Sequence, residues 1–410
     1  MVYSFVLSLF HFLTANLFKT LPEPPFSENM PPKHVVIVGG SMSGLATAHQ
    51  ILKQTSRNQV KVTIVSRDSH FYWNIAAPRA VASASRVPDS DLFVSIPEGF
   101  AKYPEGQFEF VLGTATGIDV TTKVLRVGRE GKGADGTEKQ IGYDVLILCT
   151  GSDTKTATPF KSRGSTEATK KALHEYQKRI KTARTVLVIG AGPTGVEVAG
   201  ELASEYKGEK KIILASSTSR VLPGPNRPAS VSRVAESQLR ALNVDLRLNT
   251  KFEDEKELAD GSWEITLSEG RKLVVDVYIP TFGVTPNSSF IPSEFLNREG
   301  FVILDKYMRV KGTKDIYAVG DVSDIEAPQA FYVGGQSKYV AKSVVLGVTG
   351  KSSSVVPYKK SNTSMIGVQI GQKGGTGHVG SIRLPGFMIA YLRKTLLVEQ
   401  APKMIDGSAF

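Results

Sequence analysis

The sequence predicts an α/β protein that contains two Rossmann-like domains, each built on a parallel sheet. Two glycine-rich turns carry this prediction, GGSMSG over residues 39–44 and GAGPTG over residues 190–195. Each turn follows an apolar strand and precedes a helix of small residues, and the unit recurs after about 150 residues. Such a turn lets a pyrophosphate approach the backbone beside a helix N-terminus. We therefore expect the chain to hold two dinucleotides, which points to electron transfer.

The two predicted units have the same order of elements. Hydrophobic patterning predicts a strand over 34–38, a helix from 45 to about 54 and a strand over 60–65. The order returns as a strand over 185–189, a helix over 195–206 and a strand over 211–215. A single glycine turn is weak evidence, but two turns in matching contexts argue against coincidence.

Two more apolar strands end in residues suited to a ligand. The segment 143–152 ends in Thr150 and Gly151, and a glycine permits a close approach to a bound molecule. The segment 316–321 ends in Gly320 and Asp321, at the edge of the sheet where ligands bind in α/β folds. Asp321 is expected to accept hydrogen bonds from a polyol, or alternatively to cap a following helix.

Size, charge and cysteine content limit the function. A chain of 410 residues and 44.4 kDa fits two or three domains. Of the net charge of +11, the segment from residue 351 onward holds eight Lys and Arg against two acidic residues. This basic excess suits a membrane surface, nucleic acid or a phosphate-rich cofactor equally well. The lone cysteine, Cys149, is expected to be a buried apolar residue, and it excludes an internal thiol pair that relays electrons.

Both ends of the chain carry apolar segments. Residues 2–18 predict an anchor or interfacial helix rather than a secretory signal, since no charged region precedes them, and a disordered extension is the alternative. Residues 387–394 form a short apolar stretch with a basic end, which suits either a lipid surface or packing on its own domain. With Val2 after the first methionine we expect no N-myristoylation, which requires a glycine at that position.

Together these motifs resemble a known family. The segments 35–40, 71–79, 192–197, 320–324 and 396–398 are similar to FAD-dependent pyridine nucleotide oxidoreductases of the apoptosis-inducing-factor-like group. Within that group the chain looks most like the ferroptosis suppressor (mitochondrion-associated inducer of death) branch. The resemblance implies a glutathione-reductase-like arrangement in which NAD(P)H reduces FAD and FAD reduces a membrane quinone.

The resemblance also implies domain limits. An apolar segment and linker would occupy residues 1–33, and the FAD domain would combine 34–155 with 280–350. The NAD(P)H domain would be inserted over 156–279. The segment 351–410 would cover the flavin and face the membrane and its quinone. We expect a membrane-associated protein that faces the cytosol, on the mitochondrial outer membrane, the endoplasmic reticulum or a lipid droplet.

The expected site residues follow from these motifs. Glu197, one turn into the second helix, would stand beside the nicotinamide as the catalytic residue, or would simply favour the positive helix end. Pro328 and Gln329 would open a helix directed at the flavin. The other expected cofactor-binding residues are Gly39, Gly40, Ser41, Gly44, Arg67, Asn74, Arg79, Thr150, Gly151, Gly190, Gly192, Thr194, Gly195, Ser216, Arg220, Gly283, Gly320 and Asp321.

Three positions depart from the family pattern. Ser41 replaces the second glycine of the first turn, which predicts a shifted or weaker FAD pose. Ser66 stands where an acid usually holds the FAD ribose, and the adjacent Arg67 cannot accept those hydrogen bonds. Ser216 likewise replaces the acid that selects NADH, so with Arg220 nearby we expect NADPH to be tolerated.

Two alternatives stay open at this point. One is an alternative NADH dehydrogenase of a respiratory membrane, which shares the fold and the acceptor. The other is a redox-switched binding protein whose basic surface meets protein or nucleic acid and whose NAD(P)H oxidation is slow.

Overall fold

The structure, a computed structural model, describes residues 31–128, 138–156 and 158–410. Within it Pro32–Phe410 forms one compact unit. The predicted apolar helix over 2–18 lies outside the described residues. None of the helices in the described part of the chain is both long enough and apolar enough to cross a bilayer.

The first sheet contains the first glycine unit. Its five strands are all parallel, in the order Ile316–Ala318, Val145–Leu148, Lys33–Val38, Val60–Ser66 and Phe108–Leu112. The central strand is apolar throughout its second half because both faces of the sheet are covered. The helices Met42–Leu52 and Ala330–Val348 pack against each other beside this sheet.

The second sheet repeats the arrangement. Four parallel strands run in the order Asp245–Arg247, Lys211–Ala215, Thr185–Ile189 and Val277–Pro280. The helix Pro193–Tyr206 follows the second glycine turn, and Ala229–Ala241 and Thr166–Thr182 are the other long helices of this part. Residues of both sheets share one continuous apolar core.

The C-terminal part is a small antiparallel sheet with two short helices. Its strands are Met365–Ile370, Gly374–Val379 and Ile382–Leu384, and the helices are Gly386–Leu392 and Ala401–Ile405. The sheet contacts the Pro193–Tyr206 helix, while Ala401–Ile405 contacts Met42–Leu52. The C-terminal part therefore packs against both glycine units.

Smaller elements complete the described residues. The remaining strands are His70–Tyr72, Phe93–Ser95, Thr114–Asp119, Val124–Gly128, Lys139–Gly142, Ser152–Thr154, Phe252–Glu257, Trp263–Leu267, Arg271–Val275 and Val284–Pro286. The remaining α-helices are Ala77–Ala82, Asp89–Leu92 and Ile96–Gly99.

The predicted α/β class and both strand–turn–helix units are confirmed. The strands over 185–189 and 211–215 have the predicted bounds, and Cys149 is buried as expected. The first helix begins at Met42, three residues before the predicted start, because the turn leads directly into it. The capping alternative for Asp321 is wrong, since the next helix begins only at Ala330. The domain limits stay a prediction.

Candidate functional site

The first glycine turn brings a helix N-terminus against the end of a strand. Gly39 has φ +115°, and a Cβ on it would lie 2.3 Å from the carbonyl oxygen of Cys149. A Cβ on Gly44 would lie 1.8 Å from the carbonyl oxygen of Gly39. Neither position admits a side chain, so both glycines are required for the close approach of helix and strand.

The residues that depart from the family pattern have defined places here. Ser41 is exposed at the helix N-cap, and its hydroxyl makes no capping hydrogen bond. Ser66 is buried beneath the turn, where a Cβ on Gly40 would lie 2.9 Å from its Oγ. Ser66 Oγ accepts a hydrogen bond of 3.1 Å from the backbone N–H of Asp68.

Asp68 places a carboxylate two residues after the end of the strand Val60–Ser66. It accepts a 2.7 Å hydrogen bond from the Ser162 hydroxyl. Arg67 donates to the Ser162 carbonyl at 3.1 Å, and Asn74 donates to the Phe160 carbonyl at 3.0 Å. Arg67 and Asn74 thus support the segment that precedes the Thr166–Thr182 helix, and their predicted contact with a cofactor stays a prediction. Asp68 was not predicted, because it lies two residues beyond Ser66, the position at which the family usually has an acid.

The second turn also brings a helix N-terminus close to the end of a strand, but it leaves open space at its middle glycine. Gly190 has φ +106°, and a Cβ on Gly195 would lie 1.8 Å from the Gly190 carbonyl oxygen. In contrast, a Cβ on Gly192 would have no atom within 4 Å. Thr194 is half-buried in the first turn of the helix that follows. The open space at Gly192 fits a pyrophosphate beside the helix N-terminus.

Asp321 lies at the carboxyl edge of the first sheet, as predicted. Its Oδ2 accepts hydrogen bonds from Ser152 Oγ at 2.9 Å and from Lys161 Nζ at 3.1 Å. The preceding Gly320 has φ +82° and packs close to Ser43 in the first helix. Asp321 therefore stands next to the first glycine unit. Lys161 was not predicted, because it approaches from a distant loop.

The Thr150–Gly151 turn is closed by a neighbouring loop. Thr150 Oγ1 donates to the Asn287 carbonyl at 2.7 Å, and the Asn287 side chain donates to the Thr150 carbonyl at 2.9 Å. Gly151 has φ +65° and open space around its α-carbon. Gly283, at φ +75°, packs on the Lys155 side chain, away from this pair.

The helix Ala330–Val348 follows Asp321 in the chain, and its predicted direction towards the flavin stays a prediction. Gln329 is its N-cap in extended conformation, with Pro328 before it. The buried Gln336 accepts a 2.8 Å hydrogen bond from the Gly320 backbone N–H and so ties this helix to the first sheet. The positive helix end favours negative charge at this place.

A buried charge cluster joins the helix of the second glycine unit to the Ala77–Ala82 helix and to the C-terminal part. We define it as Arg79, Arg86, Glu197, Glu201 and Arg393. Glu201 is fully buried and receives Arg79 Nη2 at 2.7 Å and Arg86 Nη1 at 2.8 Å. Arg79 Nη1 also donates to the Lys394 carbonyl at 2.5 Å. These contacts give Arg79 a bracing role, and the cofactor contact predicted for it stays a prediction.

Glu197 belongs to the same cluster. Its Oε1 accepts from Arg393 Nη2 at 2.7 Å and from the Gln369 backbone N–H at 3.2 Å. Burial raises the pKa of the Glu197 carboxyl, and the charge of Arg393 opposes that rise. Glu197 therefore faces the C-terminal part, and a role beside the nicotinamide stays a prediction.

A scan against family models matches residues 33–343 with the pyridine nucleotide-disulphide oxidoreductases. The chain belongs to this family. It is 53% identical to oxidoreductase ptaL of Pestalotiopsis fici over 379 residues, which cover 92% of this chain and 99% of the relative. It is 26% identical to human ferroptosis suppressor protein 1, over 87% of this chain and 91% of the relative.

A solved structure supports the fold. The sulfide:quinone oxidoreductase of Aquifex aeolicus superposes with a TM-score of 0.71 at 16% identity, over 92% of each chain. The predicted resemblance to the apoptosis-inducing-factor-like and ferroptosis-suppressor-like group is thus confirmed. The chain is an oxidoreductase that uses FAD and NAD(P)H. The two turns fit these cofactors, since each places glycines, which carry no side chain, directly before a helix N-terminus.

Proposed function

We propose that this protein is an NAD(P)H:quinone oxidoreductase. When bound, FAD supplies the chemistry that accepts two electrons from NAD(P)H and passes them to an acceptor. The observation that carries the proposal is a pair of glycine units in one scaffold with a single cysteine in the whole sequence. A disulfide relay needs two thiols, so electrons must leave to an acceptor that reaches the flavin directly.

The chemistry of the single cysteine also supports direct electron transfer from the flavin to the acceptor. Cys149 is buried at the end of the Val145–Leu148 strand, and burial raises the pKa of its thiol to about 12. A thiol with so high a pKa carries almost no thiolate at neutral pH, and the thiolate is the reactive form. The same fold occurs in the sulfide:quinone oxidoreductase of Aquifex aeolicus, an enzyme named for a quinone substrate.

The test is rapid mixing under anaerobic conditions. The FAD-loaded protein is mixed with NADH or NADPH, the loss of flavin absorbance is followed, and the reduced protein is then mixed with a short-chain ubiquinone. We expect fast reoxidation by the quinone. Reduced flavin that persists for minutes with quinone present would contradict the proposal and favour a redox-switched binding protein.

A variant at the second turn makes this test specific. Gly192→Asp has room for its side chain but places a negative charge where the pyrophosphate binds. We expect it to retain FAD and to lose reduction by both nucleotides. Gly192→Ala separates charge from bulk, because it adds a Cβ at the same open position without charge and should impair nucleotide reduction less than Gly192→Asp.

We further propose that the enzyme works on a membrane surface. The C-terminal part exposes four large apolar side chains, Val379, Ile382, Phe387 and Tyr391, which we name together the apolar patch. Phe387 is 79% exposed and Tyr391 70%, one helical turn apart. Val379 and Ile382 are cross-strand partners and therefore share a face of the small sheet. An exposed apolar patch of this kind fits contact with lipid.

Basic side chains lie next to the patch. Arg383 and Lys394 are both exposed and are close in sequence to its members. Positive charge beside an apolar patch favours a membrane with anionic headgroups. A location on the membrane surface suits a quinone that is dissolved in lipid. We propose the cytosolic face of the outer mitochondrial membrane, of the endoplasmic reticulum or of a lipid droplet.

Vesicle flotation tests the membrane proposal. We expect the protein to float with vesicles that contain phosphatidylserine, and the double variant Phe387→Asp with Tyr391→Asp to remain in the soluble fraction. The double variant should keep its turnover with water-soluble quinone and lose turnover with long-chain quinone in the vesicles. Val284→Asp changes an exposed valine outside the C-terminal patch and is the control. Equal flotation of both variants would contradict the proposal.

A further inference from the structure

A chain of hydrogen bonds connects the loop of residues 320–324, which we call the Asp321 loop, to Glu326. The backbone N–H of Gly320 donates to Gln336 Oε1 at 2.8 Å. The same buried amide donates through Nε2 to Glu326 Oε2 at 2.9 Å. An amide accepts only through its oxygen and donates only through its nitrogen, so these two partners together fix the orientation of Gln336. Glu326 is therefore connected to Gly320 through a single buried side chain.

Glu326 also holds the segment that leads to the C-terminal part. This linker, residues 355–364, precedes the strand Met365–Ile370 and contains no helix or strand of its own. Within it the Tyr358 hydroxyl donates to Glu326 Oε2 at 2.8 Å, and the Ser361 backbone N–H donates to Glu326 Oε1 at 2.7 Å. One carboxylate therefore joins the linker to the Asp321 loop.

The Asp321 loop has two supports of different origin. Asp321 Oδ2 accepts hydrogen bonds from Ser152 and Lys161, whereas the Gly320 backbone is held by Gln336. A Cβ on Gly320 would lie 3.2 Å from Ser43 Oγ, so the loop lies close against the first helix. Of these supports, the one through Gln336 leads on to the linker of the C-terminal part.

The charge of Glu326 is held by neutral donors. The Gln336 amide, the Tyr358 hydroxyl and the Ser361 backbone N–H carry no charge. None of the ion pairs in the described part of the chain includes the Glu326 carboxylate. Gln336 belongs to the second turn of the helix Ala330–Val348, so this negative charge lies near the positive end of that helix. The carboxylate therefore opposes the attraction of the helix end for other negative charge.

We propose that Glu326 is a positioning residue for bound FAD that acts through Gln336 on the Asp321 loop. The linker, docked on Glu326, keeps this loop in place, so FAD is held more tightly while the linker is docked. The charge of Glu326 also makes the addition of negative charge to the flavin less favourable and so lowers its midpoint potential. This role concerns FAD alone and does not depend on the quinone acceptor proposed above.

Two measurements on the flavin of Glu326→Gln test this role. FAD release from the loaded protein after dilution is followed by flavin fluorescence, and the midpoint potential is measured by anaerobic equilibration with a reference dye. The new amide has a single acceptor oxygen for three donors, so we expect FAD release to be about 2- to 10-fold faster, as for the loss of one hydrogen bond. We also expect a more positive midpoint potential. Glu299→Gln, which removes an exposed carboxylate from another loop, is the matched control and should change neither value.

Tyr358→Phe separates the position of the linker from the charge of Glu326. It removes the hydroxyl that donates to the carboxylate but leaves the charge in place. We therefore expect faster FAD release with a midpoint potential close to that of the wild type.

The outcomes that would overturn the proposal are distinct. A Glu326→Gln variant with a lower melting temperature, but with wild-type FAD release and midpoint potential, would show that Glu326 only anchors the linker. If Glu326→Gln does not fold, Tyr358→Phe decides, and unchanged FAD release in that variant would overturn the proposal. Neither measurement contains a quinone, so failure of this role is distinguished from failure of the proposed reductase.

Discussion

Removing Glu201 from the buried charge cluster should cost more stability than almost any other single charge change in this protein. The change is Glu201→Met, which has similar length and no charge. Glu201 is fully buried, and Arg79, at 6% exposure, would lose the carboxylate with which it pairs in the described part of the chain. Breaking a buried ion pair by removing one partner costs about 3–5 kcal/mol, because the other charge stays desolvated.

The expected shift in melting temperature follows from size. For the compact unit Pro32–Phe410, the average unfolding entropy per residue gives about 0.8 kcal/mol per kelvin, so a loss of ~4 kcal/mol lowers Tm by about 5 °C. Thermal melting followed by circular dichroism measures this decrease in Tm. The measurement is made at saturating FAD, because bound FAD raises Tm and its free concentration must be the same for each variant.

Two companion variants make the reasoning refutable. Glu205→Met removes a carboxylate that is 26% exposed and lies 3.6 Å from Arg86, and it should cost at most about 1 kcal/mol. Arg79→Met combined with Glu201→Met should be more stable than Glu201→Met alone, since an apolar pair can replace a buried ion pair. If Glu201→Met costs no more than Glu205→Met, the cluster does not brace the structure as argued.

Three further predictions concern the turns, the C-terminal tail and the thiol. Gly195→Ala should lower the melting temperature strongly or fail to fold, because its Cβ would meet the Gly190 carbonyl at 1.8 Å, whereas Gly192→Ala should fold normally, as thermal melting without nucleotide will measure. Burial lowers the pKa of His49 to about 4, so wild-type stability should be complete above pH 6.5 and decline as the pH falls towards 4. Urea unfolding at several pH values should show that the free energy of unfolding declines less with falling pH in His49→Gln than in the wild type. Cys149→Ala should retain quinone reduction, and a thiol reagent should label wild-type Cys149 only after unfolding.

The acid sensitivity of His49 arises from the C-terminal tail. Its Nε2 lies 2.7 Å from the Ile405 carbonyl and its Nδ1 lies 2.8 Å from the Tyr103 hydroxyl. These partners suit a neutral ring with one donor and one acceptor nitrogen. Protonation would add a second N–H and a charge in a buried place. The expected first consequence of acid is therefore release of the tail from the first helix.

Local patterns were enough to predict both glycine units. Strand and helix positions follow from hydrophobic periodicity, and the glycines at 39, 44, 190 and 195 follow from the need for close backbone approach. Asp321 was placed correctly at the sheet edge because strand ends in a parallel sheet share one side. These features depend on residues that are neighbours in sequence.

Long-range contacts could not be predicted in the same way. Lys161 reaches Asp321 across 160 positions, and Arg79 reaches the Lys394 carbonyl across 315. Each of these residues carries an ordinary surface-type side chain in the sequence, and only the packing of three sheets shows which charges become buried together. Arg79 illustrates the limit, because nothing in the sequence indicates that its guanidinium pairs with Glu201, and the cofactor contact implied by the family motif stays a prediction.

The C-terminal part is therefore linked to both glycine units by different chemistry. Arg393 and the Lys394 carbonyl bind residues of the charge cluster, and the Ile405 carbonyl binds His49 in the first helix. Both links respond to acid, because burial raises the pKa of the Glu197 carboxyl that binds Arg393, and the His49 contact weakens as the pH falls from 6.5 towards 4. Hydrogen exchange at pH 5 and pH 7 in the wild type and in His49→Gln would separate the two links: we expect His49→Gln to keep the tail next to the first helix protected at pH 5 and to leave protection around Arg393 unchanged. Simultaneous loss of protection at both places would show that the C-terminal part is released as one unit.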